Sequence, residues 1–143
     1  MSIQGILDRK GAGVVTIRAA ASVKTAADEM RARNISALVV TGGDLIVGVV
    51  TDRDIVRAIS TRGAHALALP VTIVAAQRMV TVAPSDTAKT AMNLMTRHRV
   101  RHLPVLSDGE LVGIVSIGDV VKHRLEDLEA ESNVLRDAYI AAH

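Results

Sequence analysis

Slid against itself by 65 residues, the chain matches without a gap: residues 14–57 fall on 79–122, and 13 of the 44 aligned positions are identical. The identities include Val15/Val80, Thr16/Thr81, Met30/Met95, Gly48/Gly113 and Asp54/Asp119. An internal duplication constrains the fold more than any composition can. Two copies are too few to stack into a solenoid. The expected arrangement is a pseudo-twofold pair in which each unit covers the apolar face that its twin leaves open.

Each copy reads the same way locally. VVTI and MVTV are short extended segments, followed by Ser22 or Thr87 as helix N-caps. Apolar residues then recur at helical spacing, at Val23, Ala26, Ala27 and Met30, and again at Ala88, Ala91, Met92 and Met95. ALVVT and HLPVL lead through the turns GGD and SDG into LIVGVV and LVGIV, which predicts two β-hairpins. A closing helix starts at Thr51 or Ser116. The order β-α-β-β-α predicts an α/β fold of the α+β kind. It comprises a first repeat over 8–62, a second over 73–128 and a helical extension over 129–143. Residues 60–76 join the copies, with Gly63 and Pro70 as breakers.

A 143-residue chain with 49% hydrophobic residues can bury a substantial core. With no Trp, no Phe and one Tyr, that core is aliphatic, and base stacking on aromatic rings is nearly excluded. The net charge of +2 lacks the dense basic stripe of a nucleic-acid footprint. No cysteine means no disulfide framework, thiolate nucleophile or Cys-based zinc site, which fits a reducing cytoplasm. The N-terminus has no long apolar run before Asp8, Arg9 and Lys10, so neither a signal peptide nor a membrane span is expected. The reading is a cytoplasmic protein.

The stretch GVVTDRDIV, residues 48–56, places a hydroxyl at Thr51 and a carboxylate at Asp54 where a helix begins, and GIVSIGDVV repeats this with Ser116 and Asp119. One reading is a capping box, with the hydroxyl accepting from a first-turn N–H and the carboxylate facing the positive helix end. The other is a ligand site, in which the carboxylate accepts ribose hydroxyls while the hydroxyl and free N–H groups face a phosphate. Both roles can coexist. Arg53 could reach a phosphate or remain a solvated helix-end cation; the second copy has Gly118 there, so that cation is missing.

This tandem β-α-β-β-α unit, closing on G-h-h-[T/S]-x-x-D (h apolar) in both copies and carrying RHLPV at 101–105, resembles the CBS domain pair, or Bateman module. The likeness runs from about Ile3 to about Leu128 and is nearest to stand-alone bacterial pairs in TDRD and SIGD. It implies an adenine-nucleotide ligand, such as AMP, ADP, ATP or NAD(H), held in clefts between the repeats, whose occupancy regulates a partner protein. It also implies that Thr51, Asp54, Ser116 and Asp119 supply the hydroxyls and ribose carboxylates, and that Arg101 and His102 address phosphates, as an Arg fork can. By the same likeness the Asp54 cleft is completed by Thr81 with Arg101 and His102, and the Asp119 cleft by Thr16 and Ser36. With Ser36 and Ala37 standing where Arg101 and His102 stand in the second copy, the Asp54 cleft should tolerate more phosphate charge.

No catalytic constellation is apparent: there is no G-x-S-x-G or His-Glu-x-x-His run, and GAGVV lacks the dinucleotide fingerprint and precedes its extended segment. His98 and His102 are four apart, but a strand beginning at Val100 separates them, so no metal site is expected. Three classes remain: a ligand-sensing regulatory module, an unligated structural or dimerisation module, and a small nucleotide-using enzyme. The first is the expectation. Val121, Leu125, Leu128, Ser132, Leu135 and Tyr139 form a 4-3-4-3-4 stripe that continues past the end of the second repeat, predicting a homodimer.

Overall fold

The computed structural model describes residues 1–11, 13–76 and 79–142; His143, the last residue of the expected extension, lies outside them. In chain order the elements are α1 (Ile3–Lys10), β1 (Thr16–Arg18), α2 (Val23–Arg33), β2 (Ala37–Gly42), β3 (Leu45–Thr51) and α3 (Asp52–Arg62). A 3-10 segment (Gly63–Ala68), α4 (Val71–Val74), α5 (Ala88–His98), β4 (His102–Ser107), β5 (Glu110–Ser116) and α6 (Ile117–Ala142) follow. This is the expected mixed α+β fold, and the chain packs as two units, Gly13–Met79 and Met1–Ala12 with Val80–His143.

In the unit built from Gly13–Met79, Ser22 caps α2 by accepting the Thr25 N–H at 3.1 Å, and Asn34 ends it in the left-handed region. The helix buries Val23, Ala26 and Met30, one stripe at helical spacing. That stripe covers a three-stranded sheet of order β1-β2-β3, with β1 parallel to β2 and β2 antiparallel to β3. Ile17, Leu38, Val40, Val50, Ile55 and Val71 complete its core. The connecting residues are more ordered than their breakers suggest. Gly63 stops α3 at a positive φ of 73°, and Pro70 serves as N-cap of α4.

In the other unit, Thr87 caps α5, which buries Ala88, Ala91 and Met95 against the β4-β5 hairpin. MVTV, expected to be extended like VVTI, forms only a single bridge, Val82 to Val105. The cause is the next residues. In the first copy the Ala19 N–H donates to the Thr41 carbonyl at 2.8 Å and extends the ladder. Its equivalent is Pro84, which has no N–H, and the preceding Ala83 N–H is taken by the Asp86 carboxylate.

Helix α1 has no counterpart in the sequence reading. Ser2 caps it, and Ile3, Ile6 and Leu7 enter the core of the unit containing the second repeat. Residues 8–10, which a repeat boundary at 8 assigns to the first copy, thus pack with the second. Two equivalent glycines each permit close approach of another segment of the same unit. A Cβ on Gly48 would lie 2.5 Å from the Ala76 carbonyl oxygen, and one on Gly113 would lie 2.6 Å from Leu7 Cδ2.

Candidate functional site

The two hydroxyl–carboxylate pairs sit where a β-hairpin hands over to a helix. In the first copy, Thr51 Oγ1 accepts the Asp54 N–H at 3.3 Å and Asp54 Oδ2 accepts the Thr51 N–H at 2.8 Å. In the second, Ser116 Oγ accepts the Asp119 N–H at 3.1 Å and Asp119 Oδ2 accepts the Ser116 N–H at 2.8 Å. Both are reciprocal capping boxes. The cap reading is therefore realised in both copies, and in both it commits Oδ2 and leaves Oδ1 outside the cap. A carboxylate has lone pairs enough for a cap and a ribose together.

Free first-turn N–H groups are less abundant than the sequence suggests. On α3 the Asp52 N–H donates to the Ser36 carbonyl, the Arg53 N–H to the Asp52 carboxylate and the Asp54 N–H to Thr51. On α6 the Ile117 N–H donates to the Arg101 carbonyl at 2.8 Å. Side chains, rather than these backbone groups, are therefore the main donors left at the two helix starts.

These same bonds locate the other candidates. Ser36 lies beside the Thr51–Asp54 cap through its carbonyl, and Arg101 lies beside the Ser116–Asp119 cap in the equivalent way. His102 pairs with Ser116 in the β4-β5 register, so a half-buried Arg–His pair borders that cap. Thr16 is exposed at the start of β1, opposite Val39, and Thr81 is half-buried before the Val82 bridge. Arg53 is exposed along an open groove of about 360 Å³ lined with Asp52, Val56, Arg57 and Ser60. His98 ends α5 while His102 starts β4, so the two do not share a helix. Among the described residues no cluster of His, Cys, Asp and Glu could hold a metal ion.

The electrostatics of the two carboxylates differ. Asp54 has Arg57 Nη1 at 3.9 Å from Oδ1, beyond hydrogen-bond range. Asp119 Oδ2 accepts from Lys10 Nζ at 2.7 Å, and the same ammonium donates to the Ile114 carbonyl at 2.9 Å. Burial pushes the Asp119 carboxyl up, but the Lys10 hydrogen bond, the Ser116 N–H and the Lys10 charge outweigh it and hold the carboxyl below its ordinary value. The cation absent at Gly118 thus comes from α1. Lys10 was missed because it lies outside the motif. Continuing the 65-residue offset to Lys10 and Ala75 would have shown a charge on one copy only.

At each helix start, then, a hydroxyl and a carboxylate are fixed by their own cap, with one carboxylate oxygen uncommitted to it. Such a group accepts hydrogen bonds from vicinal hydroxyls. No described helix is long and apolar enough to cross a membrane.

Comparison with known proteins accounts for the duplication. The family model "CBS domain" matches twice, at residues 11–61 and 73–126. The CBS domain-containing protein CBSX3, mitochondrial, of Arabidopsis thaliana is 35% identical over 124 residues, 83% of this chain; the chain spans 60% of that protein's length. The crystal structure of the CBS-domain containing protein ATU1752 from Agrobacterium tumefaciens superposes with a TM-score of 0.85 at 39% identity, covering 87% of this chain and 99% of that one. The CBS domain pair of protein MJ0100, solved with 5′-methylthioadenosine and S-adenosyl-L-methionine, shares the fold at a TM-score of 0.78 and 19% identity, covering 89% and 98%. With both repeats matched and the architecture shared, the chain belongs to the CBS domain family as a tandem pair.

Proposed function

We propose that the chain is an adenine-nucleotide sensor that regulates a partner protein and works in the cytoplasm as a homodimer. The observation that carries this reading is the repeated helix-start constellation: in both copies a capped Asp, Asp54 or Asp119, keeps Oδ1 outside its cap beside a hydroxyl. Ribose hydroxyls are the complementary donors, and the adenosine-based ligands of the MJ0100 pair support that chemistry. Arg53, Arg101 and His102 are assigned to phosphate contacts, with Thr16, Ser36 and Thr81 completing the binding surface. AMP, ADP, ATP or NAD(H) are the expected ligands.

A thermal-shift screen of AMP, ADP, ATP, NAD, NADH and S-adenosylmethionine tests it. A ligand binding only the native state stabilises it by about 2.7 kcal/mol at a hundredfold excess over Kd. No shift with any of them favours an unligated structural module, and turnover of a shifting nucleotide favours an enzyme. The dimer is supported by Val121, Leu125, Leu128, Leu135 and Tyr139, all exposed along α6.

A further inference from the structure

Helix α6 has two faces with different surroundings. It buries Val120 and His123 in its own unit, and at 3.6 residues per turn the stripe begun by Val121, Leu125 and Leu128 lies roughly 140° round the helix from them. The stripe therefore points away from the core that α6 serves. It also outlasts that core, since from Glu129 to Ala142 every residue of the helix is exposed.

The spacing gives each residue a place in a heptad. Val121, Leu128 and Leu135 fall at d, and Leu125, Ser132 and Tyr139 at a. The flanks are then Lys122, Glu129 and Arg136 at e, with Arg124 and Glu131 at g. In a parallel two-stranded coiled coil each g residue meets the e residue of the following heptad on the other helix. In register, Arg124 meets the partner's Glu129 and Glu131 meets the partner's Arg136, and the twofold repeats both. Slid by one heptad, every charged g–e meeting is between like charges. In one direction Arg124 meets the partner's Arg136; in the other, Arg124 meets the partner's Lys122 and Glu131 meets the partner's Glu129. Charge thus selects one register.

These charges have no competing use inside the chain. Among the described residues, none of Arg124, Glu129, Glu131 and Arg136 is ion-paired within its own protomer. One turn before Glu131 the helix carries Asp127, a like charge. Ser132 favours the same arrangement. Parallel, in-register pairing sets it opposite its own copy, where two hydroxyls can bond each other, and a polar a residue of this kind fixes register. Antiparallel pairing along the whole stripe sets it against the partner's Leu128, which offers a buried hydroxyl nothing. It also brings e against e and g against g, so neither opposite-charge g–e pair forms.

We infer that two copies of the chain join through α6 as a parallel, in-register coiled coil, with Arg124, Glu129, Glu131 and Arg136 setting orientation and register. This rests on the reading of the protein as a homodimer and adds the geometry of the contact. The seam from Val121 to Tyr139 is about 27 Å long at 1.5 Å per residue. Parallel pairing puts the Ser116–Asp119 helix starts of both copies at one end of it, whereas antiparallel pairing puts them at opposite ends.

The test combines sedimentation of the full chain with mild oxidation of its Ala142→Cys variant. The chain has no cysteine, and Ala142 is the last d position. Parallel pairing brings the two thiols together and should give a covalent dimer whose yield is insensitive to dilution, while antiparallel pairing holds them roughly 36 Å apart. Glu131→Arg should weaken the dimer about tenfold at low salt, because two matched contacts turn repulsive, and adding Arg136→Glu should restore it. Val134, exposed at position c and off the seam, is the control: Val134→Ala should leave the dimer intact. A dimer that does not cross-link, or one that Glu131→Arg leaves unchanged, overturns the coiled coil while the homodimer stands. Loss of the dimer in Val134→Ala overturns this seam. A parent chain that is monomeric at micromolar concentration overturns the homodimer and the coiled coil together.

Discussion

Asp54 and Asp119 occupy one position of a duplicated unit, make the same cap with the same carboxylate oxygen, and differ in what else reaches them. Among the described residues Asp54 meets a distant Arg57 beyond its cap, whereas Asp119 holds an ammonium delivered by a helix from the far end of the sequence. The cap is local, built from residues three apart, so duplication copied it intact. The ion pair is long-range and depends on what α1 carries, so it could diverge without disturbing the cap. Electrostatic differences between copies of a repeat are therefore to be sought in the segments that pack against the motif.

The sharpest contrast between the copies is the length of the closing helix. Gly63 ends α3 after 11 residues, while α6 runs for 26 and exposes Leu128 (45%), Leu135 (71%) and Tyr139 (65%) along one stripe. Truncation after Leu128 should convert a dimer into a monomer in sedimentation at micromolar concentration. A dimer that survives truncation would move the interface to the repeats themselves. Next in size is the pair of close approaches. Gly48→Ala meets a backbone carbonyl engaged in the Val49–Ala76 pairing and should cost about 3 kcal/mol, whereas Gly113→Ala meets the Leu7 side chain and should cost about 1–2 kcal/mol by denaturant unfolding. Equal costs would mean that the two approaching segments are held alike.

Smaller effects probe charge. Replacing Arg101 and His102 together by Ala should weaken AMP and ATP about tenfold or more and leave adenosine nearly unchanged, since only a charge-assisted phosphate contact is lost. Equal losses for all three ligands would remove these residues from phosphate recognition. The smallest effect is that of Lys10 on stability. Because the folded Asp119 carboxyl lies below its ordinary value of 3.8, the pair contributes only above that pH, and the contribution disappears as pH falls through the folded value. With both groups partly solvated, Lys10→Met should be less stable than the parent by about 0.5 kcal/mol at neutral pH. The two unfolding curves should converge in acid. A difference that persists below the folded value would assign the loss to packing of the Lys10 stem.

Most of the fold was legible because its signals are local. Ser22, Thr87 and Thr51 cap helices as their spacing with the following turn requires, and the hairpins follow from β-branched runs around GGD and SDG. What escaped depends on partners remote in sequence. Pro84 silenced the strand expected at MVTV because its missing N–H matters only beside β4. Helix α1 showed no motif of its own, since Ile3, Ile6 and Leu7 are meaningful only against the second repeat's sheet. The carboxylates of the candidate site were visible from their spacing, but Lys10, more than a hundred positions from Asp119, was not.

The central claim is that each capped carboxylate accepts a ribose, and calorimetric titration of AMP into the full chain, Asp54→Ala and Asp119→Ala tests it most directly. Each variant should remain folded and lose one nucleotide site, since each deletes hydrogen bonds to a charged group worth about 1.5–3 kcal/mol apiece. If both variants bind AMP with the parent's stoichiometry and affinity, the two carboxylates are helix caps and nothing more.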